Sequence, residues 1–188
     1  MSPADAARTY LVGLMGSGKS TVGRRLADQL SCRYVDNDET IAELSGHSTV
    51  ALAGAGGTHL HDWESRYAHY LRTLPAPLVA GVPASAAERS EELRMLRHSG
   101  ELLYLRCDSE TLVRRVTSDA PRPWLHGDVR STIAGMFARR DDALRAVADR
   151  VIDATQPVER ILAEIMGFAG QHSAGDDARQ TASPPSLA

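Results

Sequence analysis

Lysine is all but absent from this chain. Of its 21 basic residues only Lys19 is a lysine, and the others are arginine. Cysteine is scarce as well. Cys32 and Cys107 are the 2 cysteines in 188 residues, too few for a disulfide scaffold and without metal-ligand spacing. Both sit in or beside apolar segments and read as reduced core thiols. No charge of either sign dominates. A formal net charge of −3 gives no electrostatic case for nucleic acid or an anionic membrane surface. No apolar run approaches the roughly 18 residues of a membrane span. The opening Met1-Ser2-Pro3-Ala4-Asp5 lacks the charged and apolar regions of a signal peptide. The expectation is a cytoplasmic protein with no nucleic-acid or membrane partner.

What is present fits one globular domain. Apolar residues make up 43% and charged residues 24%, as in soluble globular chains, and the length matches a single core. Apolar runs at 9–14, 33–36, 77–81, 101–106 and 150–153 read as five short buried strands. Helical spacing falls between them, at 19–31, 38–45, 58–74, 86–98, 109–117, 128–148 and 156–168. Residues 53–57 are a small-residue spacer, and 118–127, with two prolines and a glycine, read as a mobile loop. Strand–helix alternation of this kind predicts an α/β fold with a parallel sheet. From about Gly170 apolar residues nearly vanish, and 171–188 reads as a disordered tail.

The one lysine lies in Gly13-Leu14-Met15-Gly16-Ser17-Gly18-Lys19-Ser20, a match to G-x-x-x-x-G-K-[ST] between a strand and a helix. Glycines there let backbone N–H groups close on phosphates, and the helix adds its positive N-terminal end. Lys19 offers a compact charge to the β- and γ-phosphates, a slot that the planar arginine fork fits poorly. The Ser20 hydroxyl can ligate Mg²⁺. Gly16, Ser17, Gly18, Lys19, Ser20 and the adjoining Thr21 are therefore the expected nucleotide contacts. Codon bias explains the arginines, but not the place of the lysine.

The loop alone does not separate kinases from GTPases. A guanine-reading N-K-x-D would need a second lysine, which this chain lacks. Asp36-Asn37-Asp38 ends the second strand, where ligands of open α/β sheets gather. Along extended chain, both carboxylates would point the same way. One can hold a Mg²⁺-bound water while the other orients an acceptor hydroxyl. Capping of the following helix by Asp38 is a compatible alternative.

Taken together, Val12–Ala27, Asp36-x-Asp38 and Arg122-Pro123-Trp124-Leu125 resemble the shikimate kinase family over residues 8–168. The resemblance implies a P-loop, nucleoside-monophosphate-kinase-like fold: a five-stranded parallel sheet flanked by helices, a lid near 118–127 and a small substrate-binding region near 38–73. It further implies ATP and Mg²⁺ as cofactors, a hydroxyl on shikimate as phosphoryl acceptor, and a place in aromatic amino acid biosynthesis. A monomer is expected. The family match gives Asp36 a metal role through water and Asp38 the acceptor hydroxyl. It brings Arg122 of the lid to the phosphates and Arg140 of the long helix to the acceptor carboxylate.

The acceptor half departs from the pattern. His61 stands where the family's G-E-x-x-F-R-x-x-E has its substrate arginine, although Glu64 matches the final acid. Ala80-Gly81-Val82-Pro83 replaces a G-G-G, leaving Gly81 as the glycine that can meet substrate. Leu144 replaces an expected tyrosine. His61, Gly81, Asp38 and Arg140 are thus the expected acceptor contacts, with Arg66, Arg89 or Arg139 as possible substitutes for the missing arginine. Three readings stay open: a shikimate kinase, a kinase for a related hydroxylated ring or sugar-like acid, and a nucleotide-binding relative without kinase activity.

Overall fold

The strand segments are apolar on both faces, the pattern of a parallel sheet covered by helices on either side. The computed structural model, which describes residues 7–118 and 128–175, has this architecture. Strands β1 (Arg8–Gly13), β2 (Arg33–Val35), β3 (Leu78–Pro83), β4 (Glu101–Arg106) and β5 (Arg150–Asp153) form one parallel sheet in the order β2-β3-β1-β4-β5. Central β1 is dry: Tyr10, Leu11 and Val12 are fully buried. Around the sheet lie α1 (Lys19–Gln29), α2 (Asn37–Ser45), α3 (Thr49–Gly54), α4 (Gly57–Thr73), α5 (Ser90–Arg97), α6 (Ser109–Ser118), α7 (Val129–Val147) and α8 (Val158–Gly175). No helix among the described residues is long and apolar enough to cross a membrane. Cys107 is buried and Cys32 partly so, both unbridged, and burial pushes both thiols up.

Several expectations need correction. Ahead of the 53–57 spacer, and running into its first two residues, lies an unexpected short helix: α3, opened by Ser48, whose hydroxyl accepts from Ala51 N. At 6 residues it is too short to show a period. The expected helix at 86–98 is two pieces, a 3₁₀ turn Ala84–Glu88 and then α5, with Arg89 between them. The backbone of α8 continues to Gly175, into the stretch read as disordered from 171. Residues 176–188, and with them the rest of that tail, lie outside the described residues, as do 119–127 of the expected lid, including Arg122.

Two packing features place the site. On α4, Glu64, Tyr67, Ala68 and Leu71 share one face and are all buried, the three-and-four spacing of a core stripe with a carboxylate in it. On α7, buried Asp141 accepts from Tyr104 Oη at 2.8 Å and from Arg106 Nε and Nη2 at 2.8 and 3.0 Å. That bidentate clamp to β4 fixes the rotation of α7, and with it the direction taken by neighbouring Arg140.

Candidate active site

One cleft of ≈ 700 Å³ runs from the β1–α1 loop to the helices α2–α4 and α7. At the loop end the backbone turns sharply. Gly16 and Gly18 have φ of 81° and 92°, a region in which a Cβ is strained. At Gly16 an added Cβ would also stand 2.9 Å from Val116. Gly18 is the N-cap of α1, so the first turn of that helix, Lys19-Ser20-Thr21, opens onto the cleft. Lys19 Nζ donates to Gly13 O at 2.7 Å and Leu14 O at 3.4 Å, folding its charge back over the loop. Gly16, Ser17, Gly18, Lys19, Ser20 and Thr21 all line the cleft.

The acidic pair is arranged differently from the sequence expectation. Asp36, not Asp38, caps α2. Its Oδ1 accepts from Asp38 N and Glu39 N at 3.0 and 3.5 Å, while its Oδ2 accepts from the Ser20 hydroxyl at 2.7 Å. Asp38 is already in the first helical turn, so the two carboxylates are not related by strand alternation. Asp38 lines the cleft and accepts from Asn37 Nδ2 at 3.0 Å, whereas Asp36 lies behind the wall. Tyr34 packs beside this pair, and burial together with the Asp36 charge pushes its phenol well up. Two hard oxygens, Ser20 Oγ and Asp36 Oδ2, in contact beside a phosphate-type loop suit Mg²⁺, which takes few protein ligands and keeps several waters. No cluster of three metal-binding side chains exists among the described residues.

At the far end the wall is built by Asp38, Leu60, His61, Glu64, Ser85 and Arg140. Glu64 is 6% exposed, and its Oε2 accepts from Ser85 Oγ at 2.7 Å and Arg89 Nη2 at 3.1 Å. His61 Nδ1 is 2.9 Å from the same oxygen. Because Oε2 is an acceptor, Nδ1 carries the hydrogen, and Nε2 is left for other partners. Arg140 Nε donates to Glu88 at 2.8 Å. Gly81, expected at the acceptor, is not on this wall. It lies within β3, and an added Cβ would stand 2.8 Å from Tyr34 Oη and 3.1 Å from Asn37 Oδ1. The next residues of the chain, Pro83, Ala84 and Ser85, reach the cleft instead. Of the substitute arginines, Arg66 stacks on Trp63 at 4.7 Å, and Arg89 bridges Glu64 and Glu92. Neither they nor Arg139 line the cleft. Sequence reasoning missed Ser85 and Arg115. The latter borders the loop end, donating to Gly16 O at 3.4 Å and Ala154 O at 2.9 Å, and an arginine in an Arg-rich helix gives no signal of that.

The family model for shikimate kinase matches residues 15–169. The chain belongs to the shikimate kinase family. A shikimate kinase of Chromobacterium violaceum is 33% identical over 154 residues, covering 80% of this chain and 83% of its own. One of Nitrobacter winogradskyi is 35% identical over 160 residues, covering 84% and 74%. The structure of the shikimate kinase of Acinetobacter baumannii in complex with shikimate superimposes with a TM-score of 0.81 at 26% identity, covering 90% of this chain and 98% of that one. As a shikimate kinase family member the chain is a phosphotransferase with an alcohol acceptor, and its five-stranded sheet with flanking helices is the family's P-loop kinase fold.

Proposed function

We propose that this protein transfers the γ-phosphoryl group of ATP, with Mg²⁺, to a hydroxyl of shikimate or of a related hydroxylated ring or sugar-like acid. One observation carries the reading: a single cleft holds a phosphate-type loop at one end and a carboxylate, an imidazole and an arginine at the other. Mg²⁺ held by Ser20, and through water by Asp36, would neutralise charge on the phosphates. Lys19 faces the same charge, and the backbone N–H groups of Gly16, Ser17, Gly18 and Thr21 cradle it. Asp38 orients the acceptor hydroxyl and takes its proton. Arg140 and His61 hold the acceptor, and Arg122 of the 118–127 segment closes on the phosphates. Transfer of this kind gains chiefly from positioning and from fixed charge, which is what these groups supply.

The test is to incubate the protein with labelled ATP, Mg²⁺ and, in turn, shikimate, quinate, gluconate and cyclitols. Phosphorylated product from one of these is expected. Lys19→Ala should lower kcat by about 10²–10³-fold, the usual effect of removing one group that stabilises transition-state charge, with the fold retained. Tight ATP binding without product from any acceptor would support the binding-protein reading instead. Full activity of Lys19→Ala would refute the mechanism.

A further inference from the structure

Among the described residues of the cleft wall, the permanent cations are Lys19, Arg115 and Arg140. Lys19 and Arg115 belong to the loop end, where they bond loop carbonyls. Arg140 alone stands at the acceptor end, and it is already engaged: its Nε donates to Glu88 Oε1 at 2.8 Å. We propose that Glu88 is an internal competitor of the acceptor's carboxylate, occupying Arg140 until an acid-bearing acceptor displaces it. Glu88 is thereby a specificity-determining residue of this site. The inference rests on the proposed function in one respect, the use of Arg140 to hold the acceptor.

The two partners are unequal. The Arg140 side chain is 14% exposed and that of Glu88 41% exposed. The arginine is held by its surroundings on α7, while the glutamate ends a short 3₁₀ turn and can swing into solvent. A pair with one exposed partner is weak enough to exchange, whereas a buried structural pair would be costly to open. Of the carboxylates that line this wall, Glu64 is engaged with Ser85, Arg89 and His61, and Asp38 accepts from Asn37. Glu88 is anionic at neutral pH, held below the usual carboxylate range first by its bond to Arg140 and then by the nearby charges of Arg140, His61 and Arg139. An acceptor carboxylate approaching Arg140 therefore meets a like charge as well as an occupied Nε. A neutral acceptor meets the occupied Nε but not the repulsion between like charges.

The test compares two acceptors with the same ring and hydroxyls, shikimate and its carboxamide, on the full chain and on Glu88→Gln and Glu88→Ala. With the competitor removed, KM for shikimate should fall about fivefold, the scale of one half-exposed ion pair. The KM of the carboxamide should fall clearly less, and the effect should fall on KM rather than kcat. An unchanged or higher KM for shikimate overturns the inference. So does an equal shift for both acceptors, which a merely structural Glu88 would produce. If the parent chain phosphorylates neither acceptor, shikimate is not its substrate, and the kinase reading is decided separately by the wider acceptor panel. Calorimetric binding of shikimate to the parent chain and to Glu88→Gln then decides Glu88: tighter binding to the variant supports the inference, and equal binding or none overturns it.

Discussion

Glu64→Ala removes the acceptor on which three side chains converge, and its cost can be worked from the geometry. Oε2 receives Ser85 Oγ at 2.7 Å, His61 Nδ1 at 2.9 Å and Arg89 Nη2 at 3.1 Å. A hydrogen bond to a charged group contributes about 1.5–3 kcal/mol, but three bonds to one oxygen do not add. Removing one member of a buried ion pair costs about 3–5 kcal/mol when the other charge is left alone. Here it is not alone, because Arg89 keeps Glu92 through Nε at 3.0 and 3.1 Å, and its side chain is 25% exposed. Ser85 is buried but borders the cleft. The expected net loss is therefore about 2–3 kcal/mol, below the full buried-pair cost. For a chain of this size that is a fall in Tm of about 4–12 °C. Urea unfolding followed by far-ultraviolet circular dichroism, with a thermal scan beside it, measures both. A loss under about 0.5 kcal/mol, the range of ordinary surface substitutions, would refute the reasoning. It would show that the convergence on Oε2 contributes no more than solvent does.

Two further outcomes follow from the same structure. His61→Arg should lower KM for shikimate by about tenfold, the value of one charge-assisted contact, since a guanidinium can keep Glu64 on one edge and offer the other to a carboxylate. Unchanged shikimate kinetics would show that His61 is not the weak point of the acceptor end. Asp141→Asn should flatten the acid limb of stability. Burial alone would raise the Asp141 carboxyl, but the bonds from Arg106 and Tyr104 outweigh it, and the group sits below its ordinary value of 3.8. A lowered folded-state pKa contributes stability that is complete above the unfolded value and is lost as pH falls through the folded one. Denaturation midpoints from pH 7 down to pH 2 should therefore drop less steeply for the variant than for the parent, from a lower plateau. Parallel curves would refute this.

The loop end of the cleft was legible because its chemistry is local. Gly16, Gly18, Lys19 and Ser20 lie within one turn of chain, and the strand and helix around them announce themselves by apolar runs and spacing. The five strands were legible for the same reason. Asp36 and Asp38 were found, but their geometry was not: once Asp36 turns its carboxylate onto the N–H groups of α2 and the Ser20 hydroxyl, extended-strand alternation no longer applies. Asp141 was hidden in Arg139-Arg140-Asp141-Asp142, a run of four charged residues in which nothing local marks one member as buried. Only the position of β4 reveals that one of its four members is buried on Tyr104 and Arg106. Gly81 was misplaced because the pattern shows a glycine at the end of a strand without showing Tyr34, whose hydroxyl lies where its side chain would be.

The acceptor end resists sequence reading for a deeper reason, which also changes what His61 means. The residues that set its charge come from α4, the 3₁₀ turn, the Arg89 junction and α7, and each is paired with a partner on another element. Histidine at 61 looks, in the sequence alone, like the loss of a guanidinium opposite Glu64. In the fold Glu64 is not short of one: Arg89, 25 residues further on, donates to it. Arg140, which looks free in the sequence, is taken by Glu88, 52 residues away. Glu64 thus takes its guanidinium from beyond α4, and the arginine on the cleft wall is held by Glu88. The residue at position 61 alone cannot report this, because both pairs join different elements. It follows that His61→Arg and Glu88→Gln act on the same quantity, the free positive charge available to an acid-bearing acceptor. Their effects on KM should combine when the two are made together, whereas Glu64→Ala, which mainly releases Arg89 and His61 from a structural bond, should act on stability first.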